Sequence, residues 1–146
     1  MADSHHSLLH TLVIYCQEGQ LFYQGMAKLE TNLAMTSMFR ELSLVRMNAV
    51  DELSEISDTT YKDFRELGEP VSTMLDLYSD LTETAQEGMP EDALFQLDVL
   101  ETSILLWLGE GVRELEDSSL ADTMAKHIAS MHMSHDSLRD LRVDLK

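Results

Sequence analysis

Cysteine, proline, glycine and basic residues are all scarce in this 146-residue chain, and each scarcity excludes something. A single cysteine, Cys16, rules out an intramolecular disulfide, and no Cys/His pair has the spacing of a structural zinc site. Two prolines and six glycines are too few for collagen-like or low-complexity sequence. Ten Lys and Arg stand against 27 Asp and Glu, a net charge of -17. No stretch of sequence gathers a basic patch, so no nucleic-acid partner and no anionic membrane partner is expected. Long apolar runs are missing too: the longest, Ile104 to Leu108, is far short of a membrane span. The N-terminal Met1-Ala-Asp-Ser-His-His has neither the basic region nor the apolar stretch of a signal peptide. What the chain does have is 44% hydrophobic residues, enough for one packed core. The expectation is a single soluble cytoplasmic domain over residues 1–146.

Strand-type alternation is rare, whereas helical periodicity runs through most of the chain, which predicts an all-α fold. The first helix is expected over residues 7 to 32, with Leu8, Leu12, Tyr15, Gly19, Phe22, Met26 and Leu29 on one face. A second is expected over 36 to 57, with Thr36 as its N-cap and Phe39, Leu42, Arg46, Ala49, Leu53 and Ile56 on its stripe. Residues 58 to 88 read as a partly helical connection. Tyr61, Phe64 and Leu67 mark one short helix, Gly68-Glu69-Pro70 breaks it, and Val71, Leu75, Tyr78 and Leu81 mark another. A third long helix spans 91 to 116, with Leu94, Leu97, Glu101, Leu105, Leu108, Val112 and Leu115 inward. After a turn and cap at Asp117-Ser118-Ser119, a fourth spans 120 to 142 with Leu120, Met124, Ile128, Met131, His135, Leu138 and Leu141. Two long helices, a long link and two more describe a four-helix bundle with a crossover between the second and third. Phe22, Leu42, Leu105 and Leu138 are all expected to be buried.

Polar residues interrupt these stripes. Arg46 and Glu101 fall on theirs, Glu18 lies beside that of the first helix, and His132 and His135, three apart, share a face of the fourth. A buried ionised group without a partner costs several kcal/mol, roughly, so each needs a reason to be there. At a rise of about 1.5 Å per residue, Arg46 and Glu101 sit near the middle of their helices and Glu18 and His132 roughly 20 Å into theirs. All five residues are therefore expected to meet at one level of the bundle.

Glu18-Gly-Gln-Leu-Phe-Tyr23, Phe39-Arg-Glu-Leu-Ser-Leu-Val-Arg46 and Glu101 followed by Trp107 resemble the helix signatures of a bacterial branch of the ferritin-like superfamily. The resemblance runs over about residues 7 to 142 and implies a bundle built around a di-iron site. Glu18 and Glu101 match the single carboxylates of the first and third helices. Arg46 and Ala49 stand where the second helix would supply Glu and His, and His132-x-x-His135 replaces Glu-x-x-His in the fourth. With half the site missing, a two-metal oxidase is not the expectation.

Two readings of the five residues remain open. In one, the permanently charged Arg46 bridges Glu18 and Glu101 as a metal would, with His132 and His135 completing a polar network. The chain is then a non-catalytic structural or interaction protein without a cofactor. In the other, Glu18, Glu101, His132 and His135 hold one divalent Zn, Fe or Mn ion.

Other candidates carry less. His5, His6 and His10 read as frayed terminal histidines, the ten methionines as adaptable core filling, and Cys16 as a buried, inert thiol. No nucleophile triad or phosphate loop suggests an enzyme. A homodimer is expected, because Tyr23 and Trp107 lie off their stripes and Tyr61, Phe64 and Tyr78 fall in the connection, and aromatics left outside a bundle core mark contact surfaces.

Overall fold

A computed structural model describes residues 2–56, 69–84 and 91–144, with side chains for 8–56, 70–84, 92–137, 139 and 140. The described residues form five helices and no strand: α1 (Ala2–Leu29), α2 (Leu33–Ile56), α3 (Glu69–Thr84), α4 (Glu91–Arg113) and α5 (Ser118–Asp144). None of these helices is long and apolar enough to cross a membrane. The Tyr61, Phe64 and Leu67 helix falls outside the described residues, as do the side chains of His5, His6, Leu138 and Leu141.

Local chemistry sets the helix ends. Asn32, not Thr36, caps α2: its side-chain oxygen accepts from the Met35 N–H at 3.1 Å, the bond an N-cap makes to the third helical residue. The hydroxyl of Thr36 turns back instead and donates to the carbonyls of Glu30 (3.3 Å) and Asn32 (3.0 Å). Helix α3 opens on Glu69-Pro70; in the first turn proline forfeits only an N–H that has no helical acceptor. Two tightened i→i−3 bonds, Glu114 to Gly111 and Leu115 to Val112, close α4 three residues earlier than expected. Asp117 caps α5 through Leu120 N–H at 3.0 Å.

The stripes become the core. Leu12, Tyr15, Phe22, Phe39, Leu42, Leu53, Leu94, Leu97, Leu105, Leu108 and Met131 are buried, each large apolar side chain contributing about 1.5 to 3 kcal/mol relative to exposure. Phe22, Leu42 and Leu105 are thus where the periodicity puts them.

Helix α1 packs on α2, α3 and α4, and α5 packs on α2 and α4. Pairings fix the directions. Gln20 meets Ser43 while Tyr15 meets Arg46, so α1 and α2 are antiparallel. Arg46 meets His135 and Glu52 meets His127, which sets α2 against α5. Glu101 meets His135 and Asp98 meets Arg139, which does the same for α4 and α5. Helices α2 and α4 therefore run parallel, and the link between them, which carries α3, returns the chain to the end where α2 began. Surface pairs staple these contacts: Glu52 Oε1 accepts from Lys126 Nζ and from His127 Nε2, both at 2.7 Å.

Candidate functional site

Burial of charge in the middle of the bundle is the outstanding feature, and it begins with Arg46. Its place on α2 between Leu42 and Ala49 turns a permanently charged group fully inward. One Nη donates to the carbonyl of Leu42 at 3.3 Å and the other to the Tyr15 hydroxyl at 3.4 Å and to Glu101 Oε2. The guanidinium carbon lies 4.8 Å from the Tyr23 ring centre and 5.6 Å from that of Tyr15, within cation–π range.

Glu101 is the acceptor at the centre. Its Oε2 receives Arg46, the Tyr23 hydroxyl at 3.1 Å and His135 Nε2 at 2.6 Å, and its Oε1 receives the Tyr78 hydroxyl. The donors come from α1, α2, α3 and α5. One carboxylate on α4 thus ties together the four other described helices. A carboxylate only accepts, so the 2.6 Å contact assigns the His135 proton to Nε2. The Arg46 Nη, 2.9 Å from the same nitrogen, then serves Glu101 and Tyr15 rather than the imidazole. Among the described residues, His135 Nδ1 and Arg46 Nε have no hydrogen-bond partner.

Electrostatics follow from this packing. Burial by itself raises the Glu101 pKa, but attraction to Arg46 and His135 and the hydrogen bonds from His135 and Tyr78 outweigh it and hold the carboxyl at about 2. Burial also works against the charge on Arg46, and Glu101 more than restores it. The phenols of Tyr15, Tyr23 and Tyr78 are pushed well above their usual value, by burial first and then by Glu101, so they stay protonated. Around the charged pair Phe22 stacks on Tyr78 at 4.5 Å and meets Tyr23 edge-on at 5.0 Å.

Space for the guanidinium comes from Gly19. A Cβ there would lie 2.6 Å from Arg46 Nε and 2.7 Å from its Cδ, and the mid-portion of a fully buried side chain cannot swing away. Gly19→Ala is expected to destabilise the protein by about 1 to 3 kcal/mol, although alanine favours helix. Gly25, in the same helix, has nothing within 4 Å of where a methyl would stand. Gly25→Ala should therefore stabilise by about 0.5 to 1 kcal/mol. Melting curves of the two variants decide: equal shifts would show that Gly19 is not reserved for Arg46.

The structure brings together three of the five expected residues: Arg46, Glu101 and His135. Glu18 is corrected to a half-buried position on an open groove between α1 and α3, lined also by Leu21, Phe22, Leu75, Tyr78 and Glu83. Gly19, one residue on, takes the inward position. His132 is likewise half-buried, and is not one of the groups bonded to Arg46 or Glu101; burial, and then His135, lower its pKa. Two tyrosines lie on the side opposite to expectation. Tyr23 and Tyr78, expected outside the core, are buried donors to Glu101, whereas Trp107 is 37% exposed. His10 is buried. Cys16 is buried with its Sγ 3.8 Å from Met131 Sδ, and burial pushes its thiol up to about 12, so it supplies no nucleophile.

The donor set does not suit the di-iron centre that the sequence resemblance implies. Arg46 already holds Glu101 and crowds His135 Nε2, and Ala49 offers no ligand. A metal ion here would lie beside a fixed cation. Among the described residues no three His, Cys, Asp or Glu side chains converge as a metal site. Comparison of the chain with family models, with curated proteins and with solved structures found no match.

Proposed function

We propose that this chain is a ferritin-like bundle in which a guanidinium-centred polar network stands where a metal centre would be, and that it works as a non-catalytic structural or interaction protein. One observation carries the reading: a single buried carboxylate, Glu101, gathers donors from α1, α2, α3 and α5, with the Arg46 guanidinium as the bridging cation. The parallel course of α2 and α4, joined by the α3 link, supports the ferritin-like part. The sealed thiol and the protonated phenols leave the centre without an activated nucleophile. A single buried cysteine suits a reducing cytoplasm.

Metal dependence is the direct test. Protein purified without an affinity tag is expected to carry no stoichiometric metal. Its melting temperature should not move on addition of a chelator or of Zn, Fe or Mn, because a ligand shifts stability only by binding the folded state. Stoichiometric metal that disappears in Glu101→Ala, with a chelator lowering the melting point by several degrees, would overturn the reading. The site would then be the mononuclear one of Glu18, Glu101, His132 and His135.

A further inference from the structure

Helices α1 and α2 enclose between them a groove of about 400 Å³, none of whose lining residues is bonded to Arg46 or Glu101. Its apolar part is made by Ala27, which is buried, Met47, which is half-buried, and Leu44, which is 54% exposed. Gln20 and Gln24 line it from α1. Ser43 lines it from α2, its hydroxyl donating to the Gln20 carbonyl at 3.2 Å. Two exposed cations, Lys28 and Arg40, complete the lining.

These cations stand out in this chain. Ten basic residues share it with 27 acidic ones, and Arg46, Lys126 and Arg139 each hold a carboxylate. Among the described residues, no ion pair engages Lys28 or Arg40. The neighbouring acidic residues are placed elsewhere. Glu18 lines the groove between α1 and α3, Glu30 accepts from the Thr31 and Asn32 N–H groups, and Glu41 is exposed but outside the lining. The last turn of α1 favours a cation at Lys28 in its own right; Arg40, in the first half of α2, has no such reason.

The antiparallel register orders the lining. With Gln20 meeting Ser43 and Tyr15 meeting Arg46, Arg40 is level with the stretch around Phe22, and Lys28 lies about 8 to 10 Å further along α1. Both side chains are long enough to reach into that interval. In the other direction Leu44 and then Met47 follow Arg40 within about 10 Å. One end of the groove is therefore cationic and the other apolar.

We propose that this groove is a binding site for a single-chain amphiphilic carboxylate of medium length, its head between Lys28 and Arg40 and its tail along Leu44 and Met47. The proposal goes beyond the structural reading above and uses none of the central network. Charge selects the head, because these two cations are left without a carboxylate in a chain that has 27 acidic residues. Size selects a small molecule: the volume is that of a small-ligand cleft, and one exposed leucine offers too little apolar surface for a helix of another protein. A single anion meets the two cations locally, whereas an anionic bilayer meets the whole charge of -17 and is repelled.

Titration of the isotope-labelled full chain with monomeric decanoate, followed by amide NMR, tests the assignment. One-to-one saturable binding is expected with a Kd on the order of 0.1 mM, its shifts concentrated at Gln20, Gln24, Lys28, Arg40 and Leu44. Affinity should fall as salt is raised, and decanol, with the same tail and no charge, should bind at least ~5-fold more weakly. Lys28→Gln/Arg40→Gln should remove that preference for decanoate, and Leu44→Asp should weaken decanoate at least ~10-fold. All three positions are exposed, so the melting temperatures of these variants should stay near that of the parent. Failure to saturate, shifts centred away from the groove, equal binding of decanol, or variants that bind like the parent would overturn the assignment. So would capture by phosphatidylglycerol vesicles without binding of monomeric decanoate, or a sedimentation behaviour that depends on Leu44, which would make the groove a protein contact. Metal-free protein that ignores decanoate would sink this proposal and leave the polar-network reading standing, and metal-loaded protein that binds decanoate in the groove would do the reverse.

Discussion

Arg46→Ala is expected to cost the fold about 3 to 5 kcal/mol at neutral pH, enough to remove much of the stability of a domain this size. The substitution deletes the main counter-charge of Glu101 and two hydrogen bonds besides, to Leu42 and Tyr15. It also empties the space beside Gly19. The loss has a pH signature. With Arg46 gone, burial dominates at Glu101 and raises its pKa, so the carboxyl takes up a proton to avoid standing charged in the core. The gap between variant and parent should therefore narrow as pH falls toward 4, where urea midpoints of both can still be read. A gap that stays constant with pH would show that the penalty is lost packing alone and not an orphaned charge.

Acid should unfold the parent chain for the complementary reason. A carboxyl held at about 2 in the fold and ordinarily near 4.5 adds stability that is complete above about 4.5 and disappears as pH falls toward 2. A depression of that size is worth on the order of 3 kcal/mol. Two smaller contributions have the same sign. His132, its pKa lowered mainly by burial, loses stability once pH drops below its usual 6.5. Glu52, lowered by its hydrogen bonds from Lys126 and His127, acts in the carboxylate range, and its solvent exposure keeps its share small. Urea midpoints at pH 7, 5 and 3 should show the steepest fall between the last two. In Glu101→Gln the fall below pH 4.5 should flatten, whatever the variant's stability at pH 7. An unchanged acid limb would mean that other carboxylates control the transition.

How far the sequence reaches is plain from individual residues. Stripe periodicity locates Leu42, Arg46, Glu101, Leu105 and His135 in the core, because those helices are long enough for a 3.6-residue repeat to dominate. Depth along a helix is a weaker guide than angle around it. Glu18 lies at a suitable depth, yet the inward position belongs to Gly19, and a glycine gives no hydrophobic signal to betray the guanidinium packed on it. His132 and His135 share a face, but the buried residues of α5, Met124, His127, Ile128, Met131, Ser134 and His135, span a narrow arc, and His132 falls just outside it. Tyr23 goes the other way. Helix α1 packs on α2, α3 and α4 and also touches α5 through Cys16 and Tyr23, so it buries a wider arc and the residue next to Phe22 is also inside. Tyr78 is legible in part, since Val71, Leu75 and Tyr78 form a stripe in the sequence. Periodicity alone does not show that the connecting helix packs into the bundle and delivers a phenol to Glu101.

The central claim, that Arg46 and Glu101 are directly coupled and replace a metal, is tested most directly by a double-mutant cycle on Arg46→Met and Glu101→Gln. Met preserves most of the buried volume of Arg46, and Gln keeps the shape of Glu101 without its charge. Each single variant leaves one member of the pair without its partner, and the double variant leaves neither charged. Urea denaturation at pH 7 with no added metal should give a coupling of about 2 to 3 kcal/mol, with the double variant far more stable than the sum of the singles implies. Single-variant losses that add to within about 0.5 kcal/mol would contradict the account.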